Sequence, residues 1–353
     1  DGTVERVQAV GDAETITPTV FQAAQSQEFS AVEIGTDKVA IAYRNDASSA
    51  LVAIVGTVSG TSITFGSPVT LNNNGSEPSI VKIEANKFVV AYQNDTNSRG
   101  DANVCTVVDT TVTAGEAVSF ESGSTAQIKA AAVDTNVVVL AYRDNFNSGF
   151  GSTVVGTVSG TGISFGSVQI FSPAQAGEIG VAAIDTNKVL IVYRNELQSS
   201  RGEARAATVA NGSLTFGTAV QYNSGNRADE NTVAKLDTDK ALVTYRDVNN
   251  NTRGLALVIT VSGTTIKAGE RFEFDADAPT QISAVSLSTD KALLGYRDNN
   301  VGKVRVVTVT GTTVAFGVPR TFAAVDARDI SIGLMGTASA LIAYADFANS
   351  EHG

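Results

Sequence analysis

Six short polar groups, each combining Arg or Gln with a nearby carboxylate, recur along the chain at intervals of about fifty residues. Their members are Arg44 and Asp46, Gln93 and Asp95, Arg143 and Asp144, Arg194 and Glu196, Arg246 and Asp247, and Arg297 and Asp298. Such groups can hydrogen-bond sugar hydroxyls or an acidic glycan, and they can also pair with one another and join neighbouring repeats. A packing requirement recurs in every repeat, whereas a catalytic site needs to occur once. The near-perfect repetition therefore favours the joining role.

Residue combinations typical of metal sites and catalytic sites are nearly absent from the sequence. His352 is the single histidine and lies in the terminal tail, which leaves His-based zinc sites and Ser-His-Asp catalysis without their parts. No Asp-x-Asp-x-Asp-Gly calcium loop occurs, and only a weak calcium site in the loop from Asp247 to Asn251 is left open. Two distant acids meeting at a channel mouth, as in glycoside hydrolysis, are also left open. We predict no catalytic residue, no cofactor and no established metal ligand.

Charge and hydropathy exclude several classes of partner. The net charge is −11 with no block of Lys or Arg, and phosphate backbones need a concentrated basic surface, so we predict no nucleic-acid binding. No apolar stretch approaches the roughly twenty residues that span a bilayer, so we predict no membrane insertion. The single cysteine, Cys105, is expected to be a buried, inert thiol. The first residues, Asp1-Gly2-Thr3, lack Met, which we interpret as a processed or trimmed terminus.

A tyrosine that ends an apolar run marks the element that positions each polar group. It recurs as Tyr43, Tyr92, Tyr142, Tyr193, Tyr245, Tyr296 and Tyr344. In the third repeat, 126–173, four segments rich in Val, Ile, Thr and Phe are separated by turn residues; they are Ile128–Val133 (a), Val137–Arg143 (b), Thr153–Val158 (c) and Ile163–Phe171 (d). This pattern predicts four antiparallel strands in each repeat and no helix.

Four strands in a unit of about fifty residues predict one blade of a β-propeller, whose small sheets are arranged around a channel. Segment b is apolar at nearly every position, which suits a blade covered by neighbours on both faces. The last repeat holds only segments a and b, and Thr3–Val10 and Thr15–Phe21 resemble the missing c and d. We predict one all-β domain, 1–353, with seven blades: six complete blades in 25–328, and a closing blade made from 329–353 and 1–24.

The connections between segments predict two unlike faces. The a–b and c–d turns are tight, whereas the b–c and d–a loops are longer and polar, and alternating strand direction places both longer sets on one face. We call this the long-loop face and expect any binding site there. Arg99-Gly100-Asp101 is predicted to lie in a b–c loop as a local variant of its glycine turn.

The repeated motifs resemble those of known propellers. The pattern Thr57-Val-Ser-Gly-Thr-Ser-Ile-Thr-Phe-Gly66, together with Ala141-Tyr-Arg-Asp144, resembles seven-bladed β-propeller repeat proteins and is similar to uncharacterised repeat proteins of marine bacteria and their phages. The Phe-Gly pair is similar to integrin-type repeats, but the calcium loop is lacking, as are the Trp residues of WD and kelch repeats. The resemblance implies a scaffold and an exterior location, and it transfers no site residue.

Uniform repeats without catalytic parts predict a non-enzymatic binding or assembly scaffold. We expect an extracellular, cell-surface or virion location, with self-association or a surface glycan as the partner. Two alternatives remain. One is a multivalent lectin that uses the long-loop face, and the other is a polysaccharide-active enzyme with an acid pair at the channel mouth.

Overall fold

The structure is a computed structural model that describes residues 2–10, 12–15, 18–60, 62–223, 225–336 and 339–347, with only the backbone for 5–15. The prediction for His352 and most of the tail lies outside the described residues. The described chain is built from antiparallel strands, which confirms the all-β class. No helix in these ranges is long and apolar enough to cross a membrane.

The strands follow one another as repeating units of a, b, c and d. Strand a is Ser26–Gly35, Gly75–Glu84, Thr125–Asp134, the second part of Gln169–Asp185, Ala228–Asp237, Thr280–Ser286 and the second part of Arg320–Leu334. Strand b is Lys38–Asn45, Lys87–Asn94, Val137–Asp144, Lys188–Asn195, Lys240–Asp247, Lys291–Asp298 and Ser339–Asp346. Strand c is Ala50–Ser59, Arg99–Val108, Phe150–Ser159, Arg201–Ala210, Arg253–Ser262, Val301–Thr310 and Gly2–Val10.

Strand d differs from the continuous segment that we expected, because it is divided in most units. Its first half is Ser62–Phe65, Thr111–Ala114, Gly162–Phe165, Ser213–Phe216, Thr313–Phe316 and Asp12–Thr15. Its second half is Val69–Asn72, Val118–Glu121, the start of Gln169–Asp185, Val220–Gln221, the start of Arg320–Leu334 and Thr19–Gln22, while Thr265–Asp275 runs unbroken in the fifth unit. The break follows a glycine that approaches the next unit: a Cβ on Gly66 would lie 2.4 Å from the Thr110 carbonyl oxygen.

The hydrophobic core lies between neighbouring units, and the repeated tyrosine is part of it. All seven tyrosines are buried. In six of them the ring meets an aromatic ring on strand d of the preceding unit, with centroids 5.1–5.5 Å apart; the pairs are Phe21–Tyr43, Phe120–Tyr142, Phe171–Tyr193, Tyr222–Tyr245, Phe274–Tyr296 and Phe322–Tyr344. All six pairs meet edge to face, the geometry that ring quadrupoles favour.

A small residue on strand c makes room for each of these rings. A Cβ on Gly100 would lie 2.3 Å from the Phe120 ring, and Gly151, Gly202, Gly254, Gly302 and Gly2 are equally close to their own partners. The first unit has Leu51 at the glycine position, and Leu71 takes the place of the aromatic ring. The two positions therefore vary together, as close packing of a fixed space requires.

The N-terminal strand completes the unit that the C-terminal strands begin. Gly2–Val10 pairs antiparallel with Ser339–Asp346, with Thr3 opposite Tyr344. The backbone N–H of Ala31 donates to Ser331 Oγ at 3.1 Å, so strand a of this closing unit contacts strand a of the first unit.

Three local predictions about the connections were wrong. The b–c connection of the sixth unit is only Asn299 and Asn300, both with positive φ, which is a tight hairpin turn. The third and sixth units have no d–a loop, because Gln169–Asp185 and Arg320–Leu334 continue from d into a. Arg99-Gly100-Asp101 begins strand c, and Asp101 is fully buried under Arg99 and Asn94.

Candidate functional site

The arginines that follow the tyrosines mostly reach into the next unit. Arg44 Nη1 lies 2.6 Å from Asp95 Oδ2, and its Nε lies 3.6 Å from Asp46 in its own unit. Arg143 Nη1 donates to Glu196 Oε1 at 3.0 Å. These are contacts between strand b ends of consecutive units, so the repeat geometry brings one unit's arginine to the following unit's acid.

Three more arginines of this set also pair with acids on strand a. Arg194 contacts Asp229 of the next unit, and it lies 3.4 Å from Glu178 and 3.0 Å from Glu196. The other two contacts are Arg246 Nη2 with Asp229 Oδ2 at 3.3 Å and Arg297 Nη2 with Asp326 Oδ1 at 2.7 Å. Burial raises the pKa of Asp229, but Arg227 and Arg194 outweigh it and hold the pKa below its ordinary value. Arg194 is therefore the most connected member of the set.

The carboxylates directly after these arginines serve a different purpose. Asp144, Asp247 and Asp298 are buried and turn away from their neighbouring arginines. Asp144 Oδ1 accepts from the N–H of Asn147 at 2.9 Å, and Asp247 Oδ2 accepts from Asn226 at 3.3 Å. Within the described residues Gln93 joins no acid, so the junction of the second and third units lacks this pair. The six predicted groups are thus not six equivalent sites.

Three carboxylates of the fifth and sixth units lie close together. Oxygens of Asp275, Asp277 and Asp298 are within 4.8 Å of one another. The Lys303 ammonium contacts Asp298, which also accepts from Asn299 at 2.9 Å. The Lys303 ammonium thus offsets part of the negative charge of these three carboxylates. The weak calcium site in 247–251 stays a prediction.

A second ring of polar side chains, which the sequence analysis missed, surrounds the axis of the units. Its members share the third position of strand a or its equivalent and have positive φ; they are Glu28, Glu77, Gln127, Glu178, Glu230, Gln281 and Asp329. The register of strand a against strand b shifts at this point in each unit, as between Gln27 and Ser30. A β-bulge therefore turns each of these side chains out of the sheet.

Six of the seven side chains of this axial ring accept a hydrogen bond from the main chain of the next unit. The N–H donors and their acceptors are Glu77 to Glu28 Oε2 at 2.6 Å, Gln127 to Glu77 Oε2, Glu230 to Glu178 Oε2 at 2.9 Å, Gln281 to Glu230 Oε2 at 3.0 Å, Asp329 to Gln281 Oε1 at 3.0 Å, and Glu28 to Asp329. One link is missing among these described residues, because Gln127 Oε1 is buried without a hydrogen-bond partner.

Five members of the axial ring, together with Lys129, line a cavity of about 360 Å³. Glu28, Glu77 and Glu230 line it, and burial raises the pKa of each above its ordinary value of 4.5. For Glu230 the nearby Glu178 raises the pKa further. Burial likewise raises the pKa of Asp329. This is a concentration of partly desolvated carboxylates at the centre of the molecule.

One exposed aromatic ring lies on the long-loop face. Phe146, in the b–c loop of the third unit, is 82% exposed, and it is the only aromatic residue among the large apolar side chains that the described surface exposes. The N–H groups of Asn145 and Phe146 donate to the Ser124 carbonyl at 2.8 and 3.2 Å, and that of Gly149 donates to the Asp144 carbonyl at 2.8 Å. These bonds fix the main chain of the loop that carries the ring.

Arg143, three residues before Phe146, belongs to the junction with the fourth unit. Arg143 Nε donates to Asn145 Oδ1 at 3.0 Å, while its Nη1 bonds Glu196. Glu196 Oε1 also accepts from Arg194 at 3.0 Å. Arg143 and Glu196 are each about one-fifth exposed, so both offer part of their polar surface to a ligand.

Comparison with known proteins supports the fold. Neither a protein-family model nor a curated protein matches the sequence. The BP39L lectin from Burkholderia pseudomallei is 9% identical with a TM-score of 0.67, and the match covers 92% of this chain and 94% of the lectin. A mutant of the Aleuria aurantia lectin in complex with alpha-methyl-L-fucoside is 15% identical with a TM-score of 0.52, covering 84% of this chain and 96% of the lectin.

An enzyme has a similar fold. The intramolecular trans-sialidase from Ruminococcus gnavus, in complex with oseltamivir carboxylate, is 11% identical with a TM-score of 0.51, and the match covers 88% of this chain and 87% of the enzyme. At such identities the likeness concerns the fold alone. The chain adopts a β-propeller fold.

Proposed function

We propose that the chain is a non-catalytic carbohydrate-binding propeller, and that a saccharide binds on the long-loop face where the third and fourth units meet. The observation that carries the proposal is the exposed ring of Phe146, three residues after Arg143, whose guanidinium contacts Glu196 of the next unit. A flat apolar ring next to a few fixed polar groups is the composition of a ligand site.

The two parts of this site would act on different parts of a sugar. The ring of Phe146 can cover the apolar face of a pyranose, and the loop hydrogen bonds fix the main chain that carries it before binding. Arg143 offers N–H donors and Glu196 offers acceptor oxygens to the hydroxyl groups. The corresponding loop positions are Ala47, Thr96, Leu197 and Asn249. Since none of these is aromatic, we infer one principal site and not six equal ones.

We also propose that the domain is one closed ring of seven blades spanning 1–353. Pairing of Gly2–Val10 with Ser339–Asp346 and the Ala31–Ser331 contact support closure between the two ends. The axial ring supports the count, since its members recur once in each unit. A rigid ring would present the b–c loops at fixed positions, as recognition of an extended glycan requires.

A glycan array probed with the full chain tests the proposed function. We expect binding to a subset of glycans that Phe146→Ala abolishes and Arg143→Ala weakens. Leu197→Ala is the matched control, because Leu197 is 68% exposed at the same loop position of the next unit. An array without binding, or equal losses for Phe146→Ala and Leu197→Ala, would contradict the site.

The enzyme alternative has a specific observation in its favour, which is the raised pKa of Glu77 and Glu230 in one cavity. Raised carboxyl pKa values are what a general acid needs. Against it, each carboxylate is held by a main-chain N–H of the next unit. A polysaccharide-cleavage screen decides between the two: reproducible turnover that Glu77→Gln or Glu230→Gln abolishes would replace our proposal.

Self-assembly and an extracellular or virion location remain further parts of the proposal. Val108 and Val318 are large exposed apolar residues away from the Phe146 site, and such residues can contribute to contacts between copies. Light scattering of the purified chain, with Val108→Ser as the test variant, would detect filaments or stacked discs.

A further inference from the structure

The last residue of strand d contacts the tyrosine of the following unit, and this position needs no negative charge. In the second unit it is Glu121, whose Oε1 accepts the N–H two residues later at 2.9 Å and whose Oε2 accepts the Tyr142 hydroxyl at 3.1 Å. In the closing unit it is Gln22, whose Oε1 accepts the N–H two residues later at 3.1 Å and whose Nε2 donates to the Tyr43 hydroxyl at 3.3 Å. Since an uncharged amide makes both contacts, the local structure does not require the charge of Glu121.

The charge of Glu121 has no counter-ion in the described part of the chain. Glu121 and the nearby Asp144 form no ion pair with any described Lys or Arg. Burial raises the pKa of the Asp144 carboxyl, and the charge of Glu121 raises it further. The junction of the second and third units therefore holds two neighbouring carboxylates and no cation.

The equivalent junction of the fifth and sixth units does hold a cation. Asp275 ends strand d there as Glu121 does in the second unit, and Asp298 takes the place of Asp144. The Lys303 ammonium contacts Asp298. Lys303 lies opposite the tyrosine of strand b, where the third unit has a serine, Ser152. The third unit thus keeps the two acids and lacks the ammonium group that accompanies them in the sixth unit.

The exposed ring of Phe146 lies at this same junction. A Cβ on Gly123 would lie 2.5 Å from Phe146 Cβ and 3.2 Å from Cδ1 of its ring, and the N–H of Gly123 is the one that Glu121 accepts. The N–H of Phe146 lowers the pKa of the Asp144 carboxyl, so its main chain lies beside the second acid as well. Glu121 is partly exposed, so a ligand on the ring can reach it. An aromatic face and unpaired carboxylates both attract a cation.

We propose that the saccharide bound at Phe146 carries a primary ammonium group, as an amino sugar without its acetyl group does. This inference rests on the proposed saccharide site and names the class of sugar that it takes. The ammonium donates hydrogen bonds to the Glu121 carboxylate and contacts the face of the Phe146 ring. It supplies the positive charge that Lys303 supplies in the sixth unit. An N-acetylated sugar has no charge at this nitrogen, so the site discriminates against it.

Calorimetric titration of the full chain with a glucosamine oligomer, and with an N-acetylglucosamine oligomer of the same length, tests the proposal. We expect the charged oligomer to bind at least about tenfold more tightly. Glu121→Gln installs the residue that the closing unit carries as Gln22, so the fold is kept and this preference should be lost. The matched control is Glu116→Gln, which removes the same charge from an exposed residue of the same unit. It should keep the preference of the wild type.

The two titrations of the wild type decide the matter even if the Glu121 variant does not fold. Equal affinities, or tighter binding of the acetylated oligomer, would overturn the ammonium assignment and leave the saccharide site standing. Equal losses of preference in Glu121→Gln and Glu116→Gln would reduce the effect to the net charge of the chain and overturn it as well. If neither oligomer binds while other glycans on the array do, only the ammonium assignment fails; if no glycan binds, the proposed function fails with it.

Discussion

Two rings of contacts join neighbouring units, and they are built in opposite ways. At the ends of strand b the contacts are ion pairs between side chains, and they vary from Arg194 with three acids to Gln93 with none. Around the axis, each contact is one side-chain oxygen on one main-chain N–H, repeated with little change. The ion pairs at the ends of strand b change from unit to unit, whereas the hydrogen bonds of the axial ring keep one geometry.

This difference indicates where each ring can serve function. A main-chain donor is always present, so the axial joint depends only on an oxygen acceptor, and Gln281 makes it as Glu230 does, whereas Gln127 does not. An ion pair needs both side chains at once, so single changes in sequence make or remove it. Variation among the contacts at the strand b ends allows one junction, that of Arg143 and Glu196, to differ from the rest, and we propose the ligand site there.

The largest effect should come from removing the most connected arginine. Arg194→Ala takes the arginine partner from Glu178, one of two from Glu196 and one of three from Asp229, and all three acids are partly or fully buried. We expect a loss of about 2–3 kcal/mol in unfolding free energy, below the upper range for a broken buried pair because Asp229 keeps Arg227 and Arg246. Urea unfolding measures it.

The control for this change is an exposed pair. Arg253 and Glu273 are 39% and 38% exposed, so Arg253→Ala should cost under about 1 kcal/mol. Equal losses for the two arginine variants would show that the contacts around Arg194 do not hold the units together.

A smaller effect on stability should show whether the axial ring depends on the hydrogen-bond acceptor or on the negative charge of its side chains. Glu77→Ala removes the acceptor for the Gln127 N–H and should cost about 1–2 kcal/mol. Glu77→Gln keeps an oxygen and removes a charge that burial disfavours, so it should be neutral or slightly stabilising. Thermal unfolding of both variants makes the comparison. A Gln variant as unstable as the Ala variant would mean that the charge itself makes the joint.

The smallest effect concerns pH, and the two rings should respond in opposite directions. The pKa values of Glu28, Glu77 and Glu230 are raised by burial, so the stability linked to them is complete below their ordinary value of 4.5 and is lost as pH rises through their folded pKa values. The pKa values of Asp229 and Asp326 are lowered by Arg partners, so their contribution is present above their ordinary value of 3.8 and is lost as pH falls through their folded values.

We therefore expect the melting temperature to rise when the sample is taken from pH 7 towards pH 5, and to fall again below about pH 4. Glu77→Gln/Glu230→Gln should show less of the rise and the same fall. An identical rise in this variant would remove the axial carboxylates as its cause.

Much of the fold was predictable because its signals are periodic and local. The spacing of the tyrosines located strand b, and the incomplete last repeat predicted pairing between the two ends of the chain. The structure shows this pairing, with Thr3 opposite Tyr344. The divided strand d was not predicted, because the Phe-Gly pair gives no sign that its glycine approaches a turn of the next unit. The short turn at Asn299 and Asn300 was not predicted, because its polar residues resemble those of the longer loops.

The candidate sites were less accessible to sequence reasoning. An acid or amide recurs at 28, 77, 127, 178, 230, 281 and 329, and this signal could have been found with the same spacing as the tyrosine. The spacing of residues does not predict the positive φ that turns these side chains towards the axis. It also does not predict that Arg143 contacts Glu196 across a junction between units. Both depend on how whole units pack together. Phe146 was overlooked because its exposure is a property of the folded surface.

The most direct test of the account is a crystal structure of the chain with a saccharide selected on the glycan array. We predict sugar density against the ring of Phe146, with hydroxyl groups within hydrogen-bond distance of Arg143 or Glu196. Density confined to the axial cavity, or to a junction other than that of the third and fourth units, would contradict it.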